Sequence, residues 1–381
     1  GDDFVALNAW DTIAIQLAVT SQVSRMAETN ERRPDFIAVI DMKTLAFLPF
    51  LEPPRGTWRR ISLSVTLVDA FILIVWAPFS HTAAHLIFIC AENERAIQTM
   101  RSLVGAAEKN GYILATTEAV RDTLPLTDKI ISINASLKIL REYLPLNLRR
   151  IYTSGYDLGG QLATLVPSLI KPVRGVFSIG AGLSTPELIG DAGTFEFVGV
   201  MGRADYQYSD LRAAEEFLDR KKIRNHVLYH PGGHEWPQGR YTDLGMQILT
   251  LMTMKDPGAE KDTAFIKSSY QDFKDYILAL EESGDLLLAL DQVEEGESLF
   301  EGLYSTDWLK EKRKELRKNR RYRTQKRDWE QVMVQELILT EDYAFYLAED
   351  VNSFNLNNLG WWNYQMEKID KYKKSDKGEE R

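Results

Sequence analysis

The chain has 381 residues, of which 44% are hydrophobic, so it can bury a sizeable core and is long enough for two domains. A net charge of -9 argues against general nucleic-acid affinity. The single cysteine, Cys90, excludes an intramolecular disulfide framework and a cysteine-rich zinc site, and five histidines (81, 85, 226, 230, 234) leave few candidates for imidazole chemistry.

Residues 1–84 read as a strand-rich N-terminal region joined to the sheet that follows. They hold an apolar stretch, a polar loop over Glu28 to Pro34, and strand-like runs at Phe36–Ile40 and Ser62–Val68, with a Pro-Pro-Arg-Gly turn at 53–56. The longest apolar run, Leu63 to Phe79, is interrupted by Asp69 and Pro78, so it reads as one or two buried strands and the chain as no integral membrane protein. No signal peptide is visible, and Gly1 is compatible with a native start, an expression scar or the mature end of an exported protein.

Residues 85–255 alternate between strand and helix. HLIFIC (85–90) precedes helical spacing from Glu92 to Asn110, and YILATT (112–117) precedes a helix over Ile130 to Tyr143. RIYTS (150–154) leads into SGYDLGG and a helix over Gln161 to Ile170. VRGVFSIG (173–180), FEFVGVMG (195–202), a helix over Asp210 to Lys221 and HVLYH (226–230) follow. Such alternation predicts βαβ units and a mainly parallel sheet, an α/β fold.

Beyond 257 strand signals disappear. Helical spacing covers Phe265–Glu281, Leu286–Leu303, Asp307–Arg327, Trp329–Ala348 and the stretch 361–369, which predicts an all-α, repeat-like region at 257–381 suited to packing or to binding a protein partner. Its aromatics Trp308, Trp329, Tyr343, Phe345, Trp361 and Trp362 are expected to pack between helices. The segment Lys310 to Arg327 carries eleven Lys or Arg, read as a solvated helix face with attraction to an acidic protein or a membrane surface as the alternative.

Gly155-Tyr156-Asp157-Leu158-Gly159 has the spacing of the G-x-S-x-G nucleophile elbow, with Asp157 in the serine's place. Gly155, Gly159 and Gly160 supply the small residues that a tight strand-to-helix turn demands, and aspartate tolerates a positive φ better than most residues. Downstream, Asp205 follows the strand at 195–202, and His234 lies in PGGHEWP after the strand at 226–230. That is the chain order nucleophile, acid, histidine. His226 and His230 fall inside a strand and read as packing residues. His81 and His85 have i, i+4 spacing but no third ligand, so neither a metal nor a cofactor is expected. Ser154 and Ser178, the other serines near the elbow, lie in strands and are poor nucleophile candidates.

RIYTSGYDLGG, the preceding EKNGYILATT and the following PGGHEWP resemble the esterase-type α/β-hydrolases of the dienelactone hydrolase, feruloyl esterase and polyhydroxybutyrate depolymerase-like set. The resemblance covers about residues 85–255. It implies Asp205 as the triad acid and His234 as the base, with the Leu158 and Ala91 amides in the oxyanion positions, and its exported bacterial members point to an extracytoplasmic site. The nucleophile role does not carry over to Asp157. After HLIFIC such esterases usually have a glycine-containing loop, whereas this chain runs Ala91-Glu92-Asn93-Glu94-Arg95, placing carboxylates where charge develops.

Two readings follow. In one, the chain is a pseudoenzyme of hydrolase fold, a binding or assembly module in which Asp157 forms a charge-assisted pair with His234. In the other, Asp157 is itself the nucleophile, as in epoxide hydrolases and haloalkane dehalogenases, whose elbow it resembles. Those enzymes usually carry a helical cap after the strand equivalent to 173–180, and about 14 residues separate that strand from the next here.

Overall fold

The computed structural model describes residues 37–41, 61–67, 71–77 and 84–372, apart from 92, 118, 122, 144–145 and 190–194. The loop at 28–34, the turn at 53–56, His81, Glu92 and the tail beyond 372 lie outside these residues. The chain divides into two compact units, residues 1–262 and 263–381.

Among the described residues, the first unit is built on one nine-stranded sheet. Its strands are β1 (Ile37–Asp41), β2 (Ile61–Leu67), β3 (Phe71–Ala77), β4 (Ala84–Ile89), β5 (Tyr112–Thr117), β6 (Leu146–Tyr156), β7 (Gly175–Ile179), β8 (Glu196–Gly202) and β9 (Asn225–His230). They lie in the order β1-β2-β3-β5-β4-β6-β7-β8-β9. The six from β5 to β9 in that order are mutually parallel, while β3 runs antiparallel to both β2 and β5. The apolar run at 63–79 is therefore two antiparallel strands.

Continuous apolar runs make these strands because a parallel sheet is covered on both faces. Every residue of β5, β7 and β8 is buried. The connecting helices are α1 (Asn93–Asn110), α2 (Leu126–Tyr143), α3 (Leu158–Leu169), α4 (Tyr208–Arg220) and α5 (Gly239–Met254). Helix α1 ties to α5 through Asp243, whose carboxylate accepts from Lys109 Nζ and Asn110 Nδ2, both at 2.8 Å. Gly245 lets α5 lie close on the sheet, since a Cβ there would sit 2.4 Å from the Phe177 ring. At the amino end of β8, Glu196, 1% exposed, joins Arg174 (2.8 Å) and Arg224 (2.7 Å) and accepts from the Tyr152 hydroxyl (3.1 Å).

The second unit holds only helices among the described residues: α6 (Thr263–Ser283), α7 (Leu286–Phe300), α8 (Asp307–Lys318), α9 (Arg320–Asn352) and α10 (Leu359–Tyr372), with one 3-10 turn. One expected boundary moves. The break expected near 328 falls at Asn319, where an extended backbone (φ -65°, ψ 128°) and a side-chain bond from the Arg321 N–H (2.8 Å) start a new helix. Nothing interrupts the 33 residues after it. The basic face of α8 is largely paired inside the unit, Lys312 with Glu281 (3.0 Å) and Arg313 with Glu297 (3.1 Å). Of the aromatics expected in helix contacts, Tyr343 packs on Trp361 and Trp362 (6.2 and 5.7 Å), whereas Phe345 is exposed.

Candidate active site

Strand order reverses around β4, whose chain continues to β5 on one side while β6 lies on the other. The crevice beyond the carboxyl ends of strands at such a reversal is where open α/β sheets bind ligands. Residue 91, after β4, and residue 157, after β6, both fall there.

The turn at 155–160 is closed by sterics. A Cβ on Gly155 would lie 2.3 Å from the Gly159 carbonyl, and one on Gly159 would lie 2.6 Å from the Cys90 carbonyl oxygen and 3.1 Å from the Ala91 Cβ. A Cβ on Gly160 would meet the Ala181 Cβ at 2.9 Å. Squeezed between these contacts, Asp157 takes φ 51° and ψ -122°, a strained conformation that costs about 1–3 kcal/mol and is held by the surrounding backbone. The helix expected from Gln161 begins at Leu158, so Leu158, Gly159 and Gly160 offer the amides that a helix start leaves without intrahelical acceptors.

Asp205 and His234 converge on this turn. Both carboxylate oxygens of Asp205 lie within hydrogen-bond distance of His234 Nδ1 (3.1 and 3.0 Å), and Asp205 is buried. His234 Nε2 is 3.9 Å from Asp157 Oδ1. That is within ion-pair distance but too long for a direct hydrogen bond. Gln207 takes the position instead: its Nε2 donates to Asp157 Oδ1 at 2.8 Å, and its backbone N–H donates to Asp205 Oδ1 at 2.8 Å. The Tyr206 hydroxyl lies 3.4 Å from His234 Nε2 and accepts from Gln207 Nε2 at 3.3 Å. Tyr156, beside the His234 ring, has its hydroxyl pushed up to about 12 by burial and by the Asp205 and Asp157 carboxylates. Neither Gln207 nor Tyr206 was singled out in the sequence; the signal was two polar groups directly after the candidate acid in Asp205-Tyr206-Gln207.

The remaining candidates separate from the site. His230 ends β9 buried, stacked on Tyr241 (4.7 Å between centroids), with Nδ1 accepting from the Gly232 N–H (3.1 Å), and burial drives it down to about 4. His85 faces Arg150 Nη1 at 2.6 Å, and burial with that guanidinium lowers it to about 4. His226 is buried in β9. Ser154 is buried with an unpartnered hydroxyl, and Ser178 donates to the Ala181 carbonyl at 2.7 Å. Among the described residues no group of three or more His, Cys, Asp or Glu converges to hold a metal, and no helix is long and apolar enough to cross a membrane.

A cavity of about 640 Å³ opens beside the elbow. Asp157 and Ala91 line it with an apolar wall that includes Leu126, Leu162 and Trp236. Among the described side chains, its charged lining is Asp157, Arg95 and Lys129, and the Glu94 side chain expected nearby is not one of those described. Glu92 lies outside the described residues.

A strand, a strained sharp turn and a helix carrying the elbow residue, followed in chain order by an acid and a histidine at later strand ends, define an α/β-hydrolase fold. Solved structures similar to this chain include esterases and serine hydrolases. They include an S-formylglutathione hydrolase from Staphylococcus aureus (13% identity, 53% of this chain and 99% of that one, TM-score 0.39). Another is esterase B from Lactobacillus rhamnosis (15% identity, 64% and 98%, TM-score 0.42). A third is EstE1, a thermostable carboxylesterase cloned from a metagenomic library (12% identity, 52% and 90%, TM-score 0.38). No protein-family model matches the sequence, and no curated protein matches it.

Proposed function

We propose that this α/β-hydrolase-fold protein has given up serine-esterase chemistry and serves as a binding or assembly module, with Asp157, Asp205 and His234 as its degenerate triad. The observation that carries this reading is the Asp157 carboxylate at the elbow, its Oδ1 tied to Gln207 at 2.8 Å and 3.9 Å from His234 Nε2. A carboxylate attacking an ester forms a tetrahedral adduct that must expel one of two groups. The carboxylate, conjugate base of an acid near pKa ~4, departs far more readily than an alkoxide, whose conjugate acid resembles water at ~16. The adduct therefore reverts, and no acyl-enzyme accumulates. The bond to Gln207 further occupies an oxygen that would otherwise be turned on a substrate.

Purified protein is expected to turn over no p-nitrophenyl ester. Since Asp205 and His234 keep a base oriented toward the elbow, Asp157→Ser is expected to gain p-nitrophenyl acetate turnover by about 100-fold or more over the parent, a gain abolished by His234→Ala. Turnover by the parent chain that disappears in both Asp157→Asn and His234→Ala would overturn the reading.

One observation favours the second reading, an active hydrolase with Asp157 as nucleophile at a saturated carbon. The His234–Asp205 pair is intact, and an Nε2 to Oδ1 separation of 3.9 Å leaves His234 beside the carbonyl that water would attack in an alkyl-enzyme ester. Single turnover of an epoxide or haloalkane in 18O-water distinguishes it by leaving label in the Asp157 carboxylate.

A further inference from the structure

Helix α9 carries opposite charges end to end. From Arg320 to Arg327 it has five Arg or Lys and no acid, and from Gln331 to Asn352 it has five Asp or Glu and no base. With 33 residues it spans about 50 Å.

One side of the helix is already used. Gln325 donates to the Gly284 carbonyl and accepts from the Leu286 N–H, Tyr322 is buried, Tyr343 packs on Trp362, and Asp350 accepts from Trp362 Nε1. At about 100° per residue these four fall on one side. On the opposite side, in chain order, stand Arg323, Arg327, Val334, Ile338, Glu341 and Phe345. All six are exposed, Val334 by 59%, Ile338 by 53% and Phe345 by 62%. Leu337, at the edge of this stripe, is exposed as well. The nearest ion pairs at the basic end are loose ones within the helix, Arg327 to Asp328 at 3.4 Å and Lys326 to Glu330 at 3.6 Å.

The charge order on this stripe is self-complementary in one direction. Lay a second α9 antiparallel across the first with Val334 opposite Val334. Arg327 then faces Glu341 of the other copy, twice by symmetry. Arg323 lies against Phe345, a cation over an aromatic ring, while the two Val334 side chains meet at the centre and each Ile338 packs beside them on the aliphatic stem of the other copy's Glu330. A parallel copy would set base against base and acid against acid. We infer that the exposed face of α9 is a self-association surface that pairs two copies of this chain as an antiparallel, two-fold dimer. The inference stands on the second unit alone and is independent of the chemistry at Asp157.

The test uses the full chain in sedimentation velocity at micromolar concentration and moderate salt. A species of twice 43.6 kDa is expected, reverting to monomer in Val334→Glu/Ile338→Glu. Arg327→Glu should weaken the dimer, and Arg327→Glu/Glu341→Arg should restore it, because the second change re-forms the pair only across copies. Val334→Cys should form a disulfide-linked dimer on mild oxidation, since Cys90 is fully buried and does not compete. Circular dichroism checks that each variant stays helical. A monomer at all concentrations, a dimer indifferent to Val334→Glu/Ile338→Glu, or a monomer that instead floats with anionic phosphatidylserine vesicles through Arg323 and Arg327 would overturn the inference.

Discussion

His230 makes the fold sensitive to acid at the loop that holds His234. Its ring is 3% exposed, and protonation of Nδ1 would eject the Gly232 N–H at the start of the Gly232-Gly233-His234 turn. Folded, the group sits at about 4; unfolded it returns to 6.5. Between those values the unfolded chain binds the extra proton, so stability is fully present above pH 6.5 and falls as pH drops toward 4. One pKa unit corresponds to about 1.36 kcal/mol, so the loss from this residue between pH 7 and pH 5 is about 2 kcal/mol. The perturbation is His230→Asn, whose side-chain oxygen can still accept from Gly232 but does not titrate. The variant loses the Tyr241 stacking and should be less stable at pH 7. The gap between parent and variant, read from urea denaturation at each pH, should narrow by about 2 kcal/mol at pH 5. His85, which is lowered to the same value, is common to both proteins and cancels. Parallel pH profiles for parent and variant would refute the reasoning.

Three further outcomes are expected. Glu196→Ala strips Arg174 and Tyr152 of a buried partner and should cost about 3 kcal/mol, lowering Tm by about 6–12 °C in calorimetry, with Asp256 (2.7 Å from Arg174) limiting the loss. Gly159→Ala drives a Cβ to 2.6 Å from the Cys90 carbonyl and should cost about 1–3 kcal/mol in the same measurement, because backbone on both sides must give way. Asn319→Ala removes the cap that starts α9 and should cost about 1 kcal/mol, seen as an earlier loss of helical signal on heating.

The parts of the site that were legible in the sequence are those dictated by local sterics and chain order. Gly155, Gly159 and Gly160 could be read because a turn this tight excludes a Cβ at each, and Asp205 and His234 because each follows a strand. What stayed hidden depended on side chains meeting across long separations. Gln207 reaches Asp157 over fifty residues, and Arg95 and Lys129 reach the cavity from two different helices. The start of α9 was misplaced for a similar reason: Asn319 is an ordinary polar residue until its side chain turns back on its own backbone. The apolar stripe on α9 was visible as periodicity, but which aromatics it buries and which it exposes follows from the packing of α10.

The position of Cys90 gives the molecule an internal reporter. Its thiol is sealed from solvent and its carbonyl presses on Gly159, so burial raises its pKa and a thiol reagent meets it only when the elbow layer opens. Because no other thiol exists in the chain, alkylation kinetics need no label or mutation to time that opening. A ligand that fills the neighbouring cavity would slow the reaction, so an orphan pocket can be screened by counting surviving thiols, with no assumption about what the ligand is.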